Sequence, residues 1–211
     1  PPLETIPIER MNKPLRLAVF DCDGTLVDSQ HSIVAAMETA FETHGFARPR
    51  AEDVRRIVGL LLVDGIARLL PDAGHEAHVA LTQSYKDAFI ALRQAGDVHE
   101  PLFPGAGDCL DNLEDDGWLL GVATGKARRG VVASLGPHGL FERFVTVQTS
   151  DNPPGKPHPE MLFRAMAEAG TEARDTVMIG DTTYDISMAR NAGTMALGVA
   201  WGYHETDELR A

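Results

Sequence analysis

The second half of the chain alternates short apolar runs with amphipathic stretches, and this rhythm limits the possible folds more than any other feature. Beyond Pro101 and the Phe103-Pro104-Gly105 turn, apolar runs at 119–123, 144–147, 176–179 and 195–199 are interleaved with helical patterns over about 107–116, 127–135, 159–169 and 184–191. Short strands joined through helices form right-handed βαβ crossovers, so the pattern predicts a doubly wound parallel sheet covered on both faces. A further apolar run at 15–20 precedes all of these and stops abruptly at Asp21. It reads as a fully buried strand.

Residues 29–100 have a different texture. Ile33, Met37 and Phe41 recur at four-residue spacing, Ser29 is a candidate helix cap and Gly45 a candidate stop. Further helical patterns cover about 52–58, 62–70 and 77–94, and no strand interrupts them. The expected organisation is an α/β core from 14–27 and 104–211, with an α-helical cap inserted at 28–103. Residues 1–13 are Pro-rich and polar, and are set aside as a tail or cloning remnant.

Charge narrows the partners. Lys plus Arg number 19 against 31 Asp plus Glu, a net charge of −12, and no basic stripe offsets it. Such a surface repels a phosphate backbone or an anionic leaflet, so neither nucleic acid nor membrane is an expected partner. No window reaches the ~18 apolar residues of a membrane span, and the opening lacks the apolar centre of a signal peptide. Two cysteines, Cys22 and Cys109, make no disulfide framework. A cytoplasmic protein with reduced thiols, monomeric or homodimeric, is expected.

Open parallel sheets bind ligands beyond the carboxyl ends of their strands, so the polar residues after each predicted strand belong together. They are Asp21 and Asp23, Thr124-Gly125, Lys156, and Asp181 with Asp185. In LAVFDCDGTLVDS, extended backbone places both acids on one side and Cys22 on the other. Their mutual repulsion favours a divalent cation, although the same residues also fit a strand ending in an Asx-type turn. Asp181 and Asp185, one helical turn apart, fit either ligands or a helix cap at Asp181 or Thr182. Several carboxylates around one crevice point to a hard cation such as Mg²⁺. Thr124 and Gly125 sit at a strand-to-helix turn suited to an anion, and Lys156 supplies the point charge a phosphate needs.

DCDGTLVDS, the TG pair, GKPHPE and GDTTYD, in that order, resemble the four motifs of the haloacid dehalogenase-like (HAD) hydrolases. The likeness spans about 15–200. Helices between the first and second motifs, with ATGKARRG and KPHPEML, resemble the phosphoglycolate phosphatase-like branch with its α-helical cap. The resemblance implies that Asp21 is a nucleophile forming an aspartyl-phosphate and that Asp23 is the general acid and base. It also implies Mg²⁺ held by Asp21, the Asp23 carbonyl and Asp181, with Asp185 positioning metal-bound water. Thr124 and Lys156 would hold the phosphate oxygens.

Within that family an acid at Asp23 argues against dehalogenation, whose halide needs no proton. The only cap lysine, Lys86, lacks the context of a Schiff-base phosphonate enzyme. A phosphatase acting on a small phosphorylated metabolite is the leading reading. A sugar-phosphate mutase and a phosphoryl-accepting signalling domain remain open. Arg55, ahead of Gly59, is a candidate for placing a guanidinium over the crevice, set against the alternative that Arg55 and Arg56 are solvated helix charges. Lys126, Arg128 and Arg129 are expected to be mainly solvated, and His158 to serve loop packing. Family members usually continue past the last strand, so the native C-terminus is expected to extend beyond Ala211.

Overall fold

The computed structural model describes residues 14–210; the expected tail at 1–13 lies outside them. Five strands form one sheet: β1 Arg16–Phe20, β2 Trp118–Ala123, β3 Phe144–Gln148, β4 Thr176–Gly180 and β5 Met195–Gly198. Their order is β3-β2-β1-β4-β5 and every pairing is parallel. The chain builds outward from β1 to one edge and then crosses to the other side, so the order reverses between β1 and β4. In a doubly wound sheet that reversal opens a crevice at the strand ends.

β1 is apolar throughout because both of its faces are covered. Leu17 and Val19 pack with Met161, Leu162, Met178 and Met188 on one side. Ala18 and Phe20 pack with Leu110, Val122, Val131 and Leu135 on the other. The covering helices are α5 Ala106–Asp115, α6 Arg128–Leu135, α7 Glu160–Ala169 and α8 Thr183–Ala192, and a short α9 Thr206–Leu209 follows β5. β5 departs from the expectation of a sheet covered on both faces: its four residues are exposed. It is the edge strand and pairs only with β4.

Between β1 and α5 lie four helices, α1 Gln30–Thr43, α2 Ala51–Ile57, α3 Leu62–Leu69 and α4 His75–Ala95. They enclose a separate apolar core that includes Ile33, Met37, Phe41, Val54, Ile66 and Leu81. The four-residue spacing of Ile33, Met37 and Phe41 puts them on the buried stripe of α1. Two connections join this helical layer to the sheet and run side by side. Asp28 N donates to Pro101 O at 2.9 Å, and Phe103 N donates to Leu26 O at 3.0 Å.

Candidate active site

The chain leaves β1 at Phe20, and Asp21 N donates to Ile179 O of β4 at 2.9 Å, so the first acid is fixed over the sheet's crevice. The Cys22 side chain joins the core beneath. Gly24 then turns the chain with φ +86°, and a Cβ there would stand 2.3 Å from Asp181 Oδ2. Only glycine permits that turn so close to a second acid.

Asp21, Asp181 and Asp185 are buried and bring carboxylate oxygens within 4.8 Å of one another. Lys156 Nζ, also buried, stands 3.0 Å from Asp21 Oδ1 and 2.6 Å from Asp185 Oδ1. Asp21 Oδ1 additionally accepts from Cys22 N at 2.7 Å, whereas Asp21 Oδ2 is buried with no partner among the described residues. Asp181 accepts from Thr25 Oγ1 at 2.9 Å and from Tyr203 N at 2.8 Å.

Asp185 belongs to the helix cap and to the acidic cluster at once. Its Oδ2 accepts from Thr182 N at 3.0 Å and Thr182 Oγ1 at 2.7 Å, which completes a capping box at the start of α8. Its Oδ1 meets Lys156. The helix cap and the acidic cluster therefore share one side chain.

Three carboxylates face one ammonium in this cluster, and burial raises the proton affinity of Asp21 and Asp181. Burial, reinforced by Asp185 and Asp23 and opposed by Lys156, pushes the Asp21 carboxyl up from 3.8 to about 6. Burial, then Asp21 and Asp185, holds Asp181 well above its ordinary value. Burial works against the Lys156 charge, but Asp185 and Asp21 outweigh it and keep the lysine protonated. A buried set of oxygen donors with surplus negative charge and a free Asp21 Oδ2 suits a hard divalent cation.

The Asp23 side chain stands outside this cluster. Its Oδ1 accepts from Ser29 Oγ at 2.6 Å and from Lys126 Nζ at 2.7 Å. Lys126 also reaches Glu100 Oε1 at 2.9 Å, while Glu100 Oε2 takes Arg93 Nη2 and Ser134 Oγ, each at 2.8 Å. Burial works to raise the Glu100 carboxyl, but Lys126 and these hydrogen bonds prevail and lower it.

Two sequence expectations change here. Lys126 is not solvated: its side chain is 11% exposed and tied to two acids. Ser29 occupies the N-cap position of α1 without capping it, because its hydroxyl is spent on Asp23. Glu100 carried no signal in the sequence, being an acid in a linker whose nearest cation in the chain, Arg93, lies seven residues away.

Thr124 and Gly125 lie in the turn between β2 and α6, which begins at Arg128. Thr124 is buried, with its N–H donated to Gln148 O at 3.0 Å. A Cβ on Gly125 would stand 2.6 Å from Leu60 O and 2.8 Å from Gly59 O, so helical layer and sheet meet backbone to backbone at this point. Together they enclose a cavity of about 270 Å³. Asp21, Asp23, Thr124, Gly125 and Lys126 line its floor, and Gly59 is in its roof. Arg55 is not among its lining residues. Neighbouring Arg56 turns away and pairs with Glu208, Nη1 to Oε2 at 2.5 Å and Nη2 to Oε1 at 2.7 Å.

A carboxylate cluster with one lysine sits at the switch point of a parallel sheet, roofed by helices inserted after the first strand. The family model for haloacid dehalogenase-like hydrolases matches residues 18–199, and the chain belongs to that family. It is 38% identical to "Probable phosphatase IndB" of Dickeya dadantii (strain 3937), over 92% of this chain and 85% of that protein. It is 29% identical to "Pyrophosphatase PpaX" of Bacillus pumilus (strain SAFR-032), over 92% and 88% of the two chains. Among solved structures, the haloacid dehalogenase-like family protein SP0104 of Streptococcus pneumoniae superposes with a TM-score of 0.79 at 25% identity, covering 93% of this chain and 90% of that one.

Proposed function

We propose that this protein is a Mg²⁺-dependent phosphatase of small phosphorylated metabolites, working through an aspartyl-phosphate on Asp21. The observation that carries the reading is Asp21 Oδ2, a buried carboxylate oxygen with no partner among the described residues, held beside Lys156 at the end of the central strand. Relatives named as phosphatases support the reaction class.

Asp21, Asp181 and Asp185, with the Asp23 carbonyl, would hold the cation, which when bound neutralises charge on the phosphoryl oxygens. Lys156 and the Thr124 hydroxyl hold the non-bridging oxygens and orient the phosphorus toward Asp21. Asp21 Oδ2 forms a bond to phosphorus as the bond to the leaving alkoxide breaks, and Asp23, a carboxylate beside Lys126 in the free protein, takes up a proton when the substrate is seated and gives it to that alkoxide. Asp23, now a carboxylate, takes a proton from water. The water attacks phosphorus, the bond to Asp21 breaks, and phosphate leaves.

In this reading residues 28–103 form a cap on a core of 14–27 and 104–211. The paired connections at Asp28–Pro101 and Leu26–Phe103 are the hinge that admits substrate and releases product. A cytoplasmic location fits the two free cysteines, and no helix among the described residues is long and apolar enough to cross a membrane.

The test is phosphate release from a panel of 2-phosphoglycolate, hexose phosphates, nucleoside monophosphates and pyrophosphate, with Mg²⁺ or EDTA. Release that needs Mg²⁺ and disappears in Asp21→Asn supports the mechanism. Equal release by Asp21→Asn would remove the aspartyl-phosphate from it.

A further inference from the structure

The floor of the cavity presents Asp21, Asp23 and Thr124 to a phosphoryl group, but its walls address a different part of the substrate. Above the floor they are built from Ile33, Met37, Ile57, Leu62, Tyr85 and Phe89. Tyr85 and Phe89 stand side by side on α4, their ring centroids 6.0 Å apart.

Four cations line the same space, yet none is available inside it for a second anion. Arg93 and Lys126 are engaged by Glu100, and Lys126 also by Asp23. Lys86 and Arg129 are exposed at the mouth, where water screens them. A carboxylate or a second phosphate drawn into these walls would lose its hydration without gaining a buried counter-charge. Arg55, the side chain expected to meet such a group, does not line the cavity.

We infer that the substrate is a phosphate monoester of a neutral, largely apolar alcohol carrying a ring, with the ring against Tyr85 and Phe89. The inference rests on the phosphatase reading and specifies the leaving group. The cavity of about 270 Å³ lies at the small end of small-molecule sites, which suits a compact monoester rather than an extended ligand. Aromatic walls favour a flat ring, and each methylene buried against them raises binding about fourfold.

The experiment compares kcat/KM of the wild-type protein with Mg²⁺ on ethyl, propyl and butyl phosphate and benzyl phosphate, against 2-phosphoglycolate, glycerol phosphate and pyrophosphate. Leaving alcohols of the alkyl series have similar basicity, so their differences report the walls. The expected result is a rise of about fourfold per methylene and benzyl phosphate at least about tenfold above every charged or polar competitor. Equal or better turnover of 2-phosphoglycolate or pyrophosphate, or a flat alkyl series, overturns the inference and leaves the phosphatase reading standing. No release from any compound overturns both.

A Phe89→Arg variant that melts like the wild type adds a second reading. It is expected to lower kcat/KM for benzyl phosphate and raise it for 2-phosphoglycolate. A uniform change across the panel overturns the role assigned to this wall.

Discussion

Asp21 and Asp23 are separated by one residue, yet they belong to clusters of opposite design. Asp21 shares buried space with Asp181 and Asp185 against the single charge of Lys156. Asp23 and Glu100 face Lys126 and Arg93, two negative groups with two positive. The first cluster has surplus charge and an unpartnered oxygen, so it is completed by something from outside. The second is neutral and internally bonded, so it holds its carboxyl in place without help. Alternation along extended backbone leaves the two carboxyls near each other, and the residues arriving from distant loops separate their roles.

The sharpest way to break this comparison is to remove the charge of Asp23 without changing its shape. In Asp23→Asn the amide oxygen can still accept from Ser29 and Lys126, so the fold should survive while kcat/KM falls by about 10²–10⁴, the usual worth of a positioned acid or base. Wild-type turnover in a steady-state assay would show that Asp23 handles no proton.

Lys126→Met comes next. It leaves two buried carboxylates with only Arg93, and breaking a buried pair costs about 3–5 kcal/mol of stability. Urea unfolding should show that loss with and without Mg²⁺, because the deficit lies in the balanced cluster. Full rescue by Mg²⁺ would mean that the two clusters act as one.

A smaller effect separates them by pH. Asp21 binds its proton more tightly folded, at about 6, than its ordinary value of 3.8. Its contribution is therefore fully present below pH 3.8 and lost as pH rises through 6. The metal-free protein should lose on the order of 3 kcal/mol from this group across that window. Thermal melting should accordingly show a larger Mg²⁺-induced rise at pH 7.5 than at pH 5, and an equal rise at both would contradict the surplus-charge description.

The smallest effect is expected at a pair that belongs to neither cluster. Arg56 and Glu208 are 43% and 38% exposed, so Arg56→Met should cost less than about 1 kcal/mol despite the two-pronged geometry. A larger loss would make this contact a principal tie between the helical layer and the segment after β5.

Much of the architecture was legible because its cause is local. β1, β2 and β4 are apolar runs of the length a covered strand needs, and α1 shows its buried stripe in the spacing of Ile33, Met37 and Phe41. The acids after β1 and β4 were legible for the same reason, since a strand end fixes where the next residues point. The exposure of β5 was not legible, because an apolar run carries no record of how many neighbours it will have. Nor was the fate of Ser29, whose position marks a helix start but whose hydroxyl serves an acid six residues back.

The sequence by itself determined the sheet, the inserted helices and the acidic residues at the strand ends, because side-chain periodicity and turn chemistry act over a few residues. The tertiary structure alone decided which cation each acid would meet. Lys126 lies 103 residues from Asp23, and Lys156 reaches Asp21 from the loop after β3. Those encounters depend on the strand order β3-β2-β1-β4-β5, which brings separate loops to one end of the sheet. Burial then makes each encounter strong enough to set a carboxylate's role.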